Sequence, residues 1–169
     1  MARPIKTLVL FIFIQLTSCN PFAPGLDEVV IDNNLGDRRY IDGFFEWFTN
    51  AYELRDSTLY GQIVGDTFNF SYLDFDNNTQ ISWDRGVEMR ATYNMFNRIK
   101  SASLQWNYYL IADTSFYDTL ASVQRAFNLF VFEDDQNVYR GTGSAKLILV
   151  RKSKGDFWKM ASWEDKSDF

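Results

Sequence analysis

The stretch Leu147–Asp165, LILVRKSKGDFWKMASWED, decides the fold. Its first residues are apolar and β-forming, a polar turn follows at Ser153–Asp156, and a second β-forming segment closes the stretch. This pattern predicts two strands, Val138–Lys152 and Phe157–Glu164, joined by a tight turn. The chain therefore ends in a sheet.

Tryptophans and glycines make these last two strands distinctive. Trp158 and Trp163 are five residues apart. Because side chains alternate along a strand and five is odd, we expect the two indoles on opposite faces. Gly141 and Gly143 in the preceding strand predict a bulge or a sharp bend.

The sheet extends upstream to Ser101. The first long strand carries large apolar side chains at alternate positions, namely Leu104, Trp106, Tyr108 and Leu110. A strand at Ser122–Glu133 follows, and Asp134–Asn137 is predicted to be a hairpin loop.

The first half of the domain is predicted to be mainly helical. Apolar residues recur at helical spacing in Arg38–Arg55, with Asp37 as a plausible N-cap. The other predicted elements are a short helix at Thr58–Val64, a strand at Thr67–Phe75 and a helix at Trp83–Arg98 capped by Ser82. Helices followed by a run of strands indicate the α+β class.

Two segments resemble a known superfamily. One is the end of the chain, with Trp158, Lys159, Met160 and Trp163, and the other is the third helix, with Trp83 and Glu88 ahead of Met95 and Phe96. Both resemble the cystatin-like cone domains of the nuclear-transport-factor-two-like (NTF2-like) or SnoaL-like superfamily. The resemblance covers residues 38–165. It implies N-terminal helices packed in a strongly curved antiparallel sheet.

Cones of this superfamily serve as enzyme pockets, ligand cups or dimer surfaces. The resemblance therefore constrains the shape of the domain more than its activity. An isomerase-like arrangement would need an inward-facing Asp and a facing Tyr.

The N-terminus resembles a bacterial lipoprotein signal. Arg3 and Lys6 precede the apolar run Thr7–Leu16, which is too short to span a bilayer as a helix. The sequence Leu16–Cys19 resembles a lipobox. This resemblance implies that residues 1–18 are removed as a signal peptide.

Cys19 would then be the lipid attachment site, carrying palmitate-type acyl chains. It is the only cysteine of the chain, so an intrachain disulfide is impossible. We expect residues 19–37 to be a flexible tether, residues 38–165 a single domain and residues 166–169 a tail. The expected location is the cell envelope, lipid-anchored, at the outer membrane facing the periplasm.

Composition excludes several functions. The chain has no histidine, which removes Ser-His-Asp and Cys-His catalysis and the commonest metal ligand. The net charge of −5 argues against nucleic-acid binding. No phosphate-binding glycine motif is present, so we expect no cofactor. Asp74, Asp76 and Asn78 lack the rest of a calcium-loop pattern, so we expect no metal site and predict a polar turn at Asp74–Thr79.

Aromatic residues are 18% of the chain, enough to fill a core or to line a pocket. Candidate pocket residues are Tyr72, Trp106 and Tyr108, which can equally be core packing. Glu88 is a candidate acid or ligand anchor at the cone mouth; its alternative is a surface glutamate paired with Arg85 or Arg90. No catalytic residue is assigned.

Three functions remain open at this point. The leading one is an envelope lipoprotein that binds a small apolar or aromatic ligand, or a protein partner, without catalysis. The second is an isomerase- or hydrolase-type enzyme using Asp or Glu and Tyr in the cone. The third is an envelope-assembly module that forms a homodimer. An enzyme predicts a buried carboxylate and a Tyr hydroxyl lining one enclosed cavity, whereas a ligand cup predicts an open apolar cavity without that pair.

Overall fold

The computed structural model describes residues 35–167, and side chains for all of these except residues 114–117. The predicted signal peptide, Cys19 and most of the predicted tether lie outside the described residues and stay predictions. Within residues 35–167, no helix is long and apolar enough to cross a membrane.

In residues 35–167, three helices precede or interrupt the sheet, as predicted: α1 (Ile41–Glu53), α2 (Ser57–Ile63) and α3 (Arg85–Arg98). The N-cap prediction for α1 was wrong. Asp37 belongs to a turn whose backbone carbonyl accepts from the N–H of Tyr40 at 3.0 Å, and α1 begins only after that turn. The Asp37 carboxylate instead accepts from Arg39, which lowers the pKa of Asp37.

The start of α3 was also mispredicted. Thr79–Asp84 forms strand β2, which the sequence analysis missed, and Asp84 rather than Ser82 caps α3 by accepting from the N–H of Val87 at 3.0 Å. A contact with the neighbouring strand explains why this segment is extended rather than helical. Trp83 pairs with Phe70 and stacks on it at 4.2 Å between ring centroids, a cross-strand contact that holds the segment extended.

Six strands in the described part of the chain form one curved open sheet. Besides β2, they are β1 (Val64–Asp74), β3 (Ser101–Tyr117), β4 (Leu120–Phe132), β5 (Val138–Val150) and β6 (Lys159–Asp165). Their order is β2-β1-β6-β5-β4-β3. Every neighbouring pair is antiparallel except β1 and β6, which run parallel. The α+β cone is therefore confirmed, with a mixed rather than wholly antiparallel sheet.

An irregularity in β6 changes which way its side chains point. Leu149 pairs with Met160 and Ile148 pairs with Ser162, so Ala161 is one extra residue in the strand. The alternation is shifted by one position. Trp158 therefore lies in the core at 4% exposure, and Trp163 packs against the same core. The prediction of opposite faces was wrong because a period of two assumes an unbroken ladder.

The predicted glycine bulge in β5 is absent from the register. Pairing between β4 and β5 runs without a shift from Leu120–Val150 to Phe132–Val138. Gly143 instead makes room for the residues after β6. A Cβ atom there would fall 2.1 Å from the Ser167 hydroxyl oxygen, and Ser167 is buried.

The core lies between α1, α2 and the concave face of the sheet. It is built mainly from aromatic and branched side chains with no exposed surface, including Phe44, Phe48, Tyr60, Leu147, Leu149 and Met160. We call these six residues the packed cluster. Phe48 lies at the centre of the core. The centroid of its ring is 5.3–5.5 Å from the ring centroids of Tyr52, Tyr60, Trp106 and Trp163.

Candidate functional site

A cavity of about 390 Å³ opens beside the packed cluster, and we call it the central cavity. Helices α1 and α3 and every strand of the sheet except β5 contribute to its wall. It is lined by Tyr52, Phe70, Trp83, Glu88, Ala91, Thr92, Met95, Leu104, Trp106, Phe127, Leu129, Trp163 and Asp165. The wall is thus mostly aromatic and aliphatic, with two carboxylates.

Glu88 lies in the first turn of α3, where the Asp84 cap fixes the start of the helix. It is 6% exposed, and three donors converge on its carboxylate. Oε1 accepts from the Tyr60 hydroxyl at 2.6 Å and from the Thr92 hydroxyl at 3.3 Å, while Oε2 accepts from the Trp83 indole N–H at 2.7 Å. A carboxylate has about four acceptor positions, so one remains open.

Two buried tyrosines stand near this carboxylate. Burial raises the pKa of Tyr60 well above its ordinary value, and the charges of Tyr52 and Glu88 add to the rise. Burial also raises the pKa of Tyr52, with further contributions from the charges of Glu88 and Asp165. Both phenols therefore keep their protons at neutral pH, and Tyr60 donates its proton to the hydrogen bond with Glu88.

Two tryptophans of the wall have unpaired polar atoms. The indole N–H groups of Trp106 and Trp163 are buried, and neither has a hydrogen-bond partner. Buried polar groups in proteins are nearly always paired, so each exception calls for an explanation. Here both exceptions belong to side chains that line the same cavity.

The structure brings together two of the predicted pocket residues, Glu88 and Trp106. Tyr72 is separate from them. It lines a separate cleft of about 230 Å³, and Asp165 lines both the cleft and the cavity. Glu88 is not a surface residue paired with Arg85, whose guanidinium reaches the backbone oxygens of Gly61 and Val64.

Tyr108 does not line the cavity; its side chain is 69% exposed. Trp106 pairs with Phe127 and Tyr109 pairs with Arg125, so β3 holds one more residue than β4 over this stretch. The bulge reverses the alternation, and Tyr109 takes the inward position expected for Tyr108. Its ring packs 6.0 Å from Phe45, and its hydroxyl donates to Asp42.

Sequence reasoning missed several residues of the site. Trp83 could have been found by recognising that a strand precedes α3, because the apolar residues Ile81 and Trp83 alternate with polar residues within Thr79–Asp84. Tyr52 and Phe70 were recognised only as core residues. Asp165 carried no local signal, since it reaches the cavity border through the parallel pairing of β6 with β1, opposite Tyr72.

A larger depression of about 670 Å³ lies along α1 and β3. Its rim carries exposed carboxylates, including Asp42, Glu46 and Glu53, and Arg125. Arg125 already lies over the rings of Phe45 and Tyr109 and donates to the Asn107 carbonyl at 2.9 Å. This solvated groove offers less apolar surface than the central cavity, and we do not assign it a ligand.

Within residues 35–167, no group of three or more acidic side chains is placed to hold a metal ion. Asp74 has a local role. One of its carboxylate oxygens accepts from the backbone N–H groups of Asp76 and Asn77, and these bonds and one from the Asn77 side chain lower its pKa. Asp134 stabilises its hairpin loop in the same way, through Gln136 and Asn137. Both loops are therefore polar turns, as predicted.

No protein-family model matches this chain, and no curated protein does. Solved structures match it in fold. A scytalone dehydratase-like protein from Novosphingobium aromaticivorans is 12% identical with a TM-score of 0.65, over 78% of this chain and 83% of that one. A hexachlorocyclohexane dehydrochlorinase is 7% identical with a TM-score of 0.58, over 78% and 85%.

A third similar structure, from Novosphingobium aromaticivorans, is named as the beta subunit of an aromatic-ring-hydroxylating dioxygenase. It is 11% identical with a TM-score of 0.60, over 76% of this chain and 87% of that one. All three share the NTF2-like, SnoaL-like cone. At these identities the likeness shows the fold alone.

Proposed function

We propose that the domain binds a small organic ligand in the central cavity without transforming it. The ligand has an apolar, ring-shaped body and at least one oxygen that accepts hydrogen bonds. The observation that carries this proposal is the pair of buried, unpartnered indole N–H groups, from Trp106 and Trp163, in the wall of an aromatic cavity.

Size and wall chemistry support a ligand of this kind. A volume of about 390 Å³ falls within the range of about 300–1,000 Å³ typical of small-molecule sites, which are also mostly apolar with a few polar groups. Each unpaired buried donor costs about 1–3 kcal/mol. An acceptor oxygen that reached these indoles, after a small movement of the rings, would remove that cost.

The hydrogen bonds of Glu88 argue against catalysis. Tyr60, Thr92 and Trp83 already donate to three of the roughly four acceptor positions of this carboxylate, so a general base here would have to use the one position that is left. Tyr60, the closest hydroxyl, is wholly buried and stands behind the wall, not in it. The Glu88–Tyr60 pair is therefore arranged here as a support for the wall. Tyr52 lines the cavity together with Glu88 and Asp165, and this second set is the one that the isomerase-type alternative would use.

Similar structures support a ring-shaped occupant. One is named for hexachlorocyclohexane and another for hydroxylation of aromatic rings. These names belong to those proteins. For this chain they are consistent with a cone that accommodates a single substituted ring.

The sequence supports a lipid anchor for this binding domain. Leu16–Cys19 resembles a lipobox, and acyl chains on Cys19 would hold the domain at an envelope membrane. Globomycin treatment, or the substitution Cys19→Ser, should leave an unprocessed precursor. Unchanged maturation and release into the soluble fraction would contradict the anchor.

The experiment that tests ligand binding follows the indole N–H signals of ¹⁵N-labelled protein during titration with acetophenone. We expect the signals of Trp106 and Trp163 to move downfield as the carbonyl accepts from them. The indole of Trp47, which donates to the Leu59 carbonyl at 2.9 Å, is the internal reference and should not move.

A matched ligand separates the acceptor from the ring. In 2-phenylpropene a CH₂ group replaces the carbonyl oxygen, so this compound should bind more weakly and produce no downfield shift. The proposal fails if a saturating concentration of acetophenone leaves the signals of both Trp106 and Trp163 in place.

A further inference from the structure

Two acidic side chains line the central cavity without a basic side chain beside them among residues 35–167. Glu88 and Asp165 both line it, and among the described residues of its wall there is no Lys or Arg. Neither carboxylate forms an ion pair within residues 35–167. Arg125 lines the neighbouring groove along α1 and β3, together with Trp106. Its guanidinium is held over the rings of Phe45 and Tyr109.

Hydrogen bonds fix the orientation of both carboxylates. Three donors converge on Glu88, and Asp165 accepts from the backbone N–H of Ser167 at 3.0 Å and from its hydroxyl at 2.6 Å. These donors are neutral, so they bring no positive charge to the cavity.

The aromatic wall is suited to a cation. The faces of aromatic rings carry negative electrostatic potential, and a cage of several rings is the usual recognition site for an ammonium group. Here the rings of Trp83 and Phe70 are stacked on one another. The rings of Trp163 and Phe70 form an edge-to-face contact, with their centroids 5.4 Å apart. Tyr52, Trp106 and Phe127 complete the aromatic part of the wall.

We infer that the ligand of the central cavity is an organic cation, a ring-bearing amine or quaternary ammonium compound whose positive charge lies between the aromatic faces and the carboxylates of Glu88 and Asp165. This inference rests on the proposed binding function and adds the sign of the ligand's charge. It also implies rejection of anions, because an anionic group would lie close to two carboxylates.

The test compares three probes of similar size by isothermal titration calorimetry: benzyltrimethylammonium, its uncharged isostere neopentylbenzene, and the anion benzenesulfonate. We expect the cation to bind about tenfold more tightly than the isostere, a difference of about 1.4 kcal/mol, and benzenesulfonate not to bind measurably.

Two conservative variants locate the charge. Glu88→Gln and Asp165→Asn should each reduce the preference for the cation over the isostere at least about threefold. Asp135→Asn, which makes the same change of net charge at an exposed loop position, should leave it unchanged. Glu88→Gln also disturbs Tyr60 and Trp83, so Asp165→Asn keeps the test valid if the first variant unfolds.

The outcomes separate the two proposals. If the isostere binds as tightly as the cation, or benzenesulfonate binds comparably, the inference about charge is overturned while ligand binding stands. If the cation is preferred but Glu88→Gln, Asp165→Asn and Asp135→Asn all behave alike, the cation is held elsewhere and the inference is overturned. If none of the probes binds and acetophenone also fails, both proposals are overturned.

Discussion

The packed cluster and the central cavity use the same kinds of side chain to different ends. Trp47 belongs to the same hydrophobic core as the packed cluster. It is 8% exposed, and its indole N–H donates to the Leu59 carbonyl. In the cavity wall, the indole N–H groups of Trp106 and Trp163 are buried without a partner. The chain can satisfy a buried indole, so the two unpaired ones mark the part of the domain that stability alone does not explain.

The first prediction concerns Phe48, a member of the packed cluster whose ring also contacts two tryptophans of the cavity wall. Phe48→Ala removes a side chain with no exposed surface that contacts rings on both sides, and should lower the free energy of unfolding by about 3–5 kcal/mol. Urea denaturation measures the loss. Phe75→Ala, the same change at a 60% exposed turn position, should alter the free energy of unfolding by about 0.5 kcal/mol or less. Similar losses in the two variants would mean that the packed cluster is not the stabilising part.

The second prediction concerns Glu88, which supports the cavity wall. Glu88→Ala leaves the Tyr60 hydroxyl and the Trp83 indole N–H buried without an acceptor, and should lower the free energy of unfolding by about 2–4 kcal/mol. Glu46→Ala is the matched control, because Glu46 is an exposed helical glutamate. Equal stability of the two variants would show that the hydrogen bonds of Glu88 contribute little.

The third prediction concerns pH. An unfolded tyrosine ionises at a pKa of about 10, whereas burial holds the pKa of Tyr60 well above that value. Above pH 10 the unfolded state therefore loses a proton that the folded state keeps, and stability falls as the pH rises. Tyr60→Phe should cost about 1–2 kcal/mol at pH 7 and make the alkaline loss shallower.

Urea titrations from pH 7 to pH 11 measure both effects of Tyr60→Phe. Tyr93→Phe, at an exposed position of α3, is the control for stability at pH 7. A slope for Tyr60→Phe as steep as that of the wild type would mean that Tyr60 does not contribute to the alkaline instability.

The fourth prediction has the smallest effect on stability and the largest on binding. Ala91 is exposed on α3 and also lines the central cavity, so it stands at the mouth. Ala91→Trp should block the mouth, abolish acetophenone binding and change stability by only about 0.5 kcal/mol. Ala112→Trp, at an exposed position of β3, should bind acetophenone normally. Unimpaired binding by Ala91→Trp would place the ligand outside this cavity.

The sequence predicted every helix and strand within residues 35–167 except β2, but it was less successful in predicting which face a side chain takes. The helical spacing in α1 and the alternation of apolar side chains in β3 were sufficient to identify those elements, because long periodic segments carry a strong local signal. The faces were mispredicted at Tyr108 in β3 and at Trp163 in β6, since extra residues at three places in β3 and at one place in β6 shift the side chains that follow them. A bulge depends on the partner strand, which no local pattern shows.

The candidate site was predicted in part for the same reason. Glu88 and Trp106 were identified from their places on α3 and β3, and both lie in the cavity wall. Asp165 could not be found, because its position depends on the parallel pairing of β6 with β1, far apart in sequence. Unpaired indole N–H groups are likewise a property of packing in three dimensions and have no counterpart in composition.

Native mass spectrometry of the full chain purified from its own cells, compared with Ala91→Trp, tests the central claim most directly. If the cavity is a binding site, the wild type carries a small organic ligand in one-to-one ratio, and Ala91→Trp carries none. The same bare protein mass in both samples, or the same adduct in both, would contradict the claim that the cavity beside the packed cluster exists to hold a ligand.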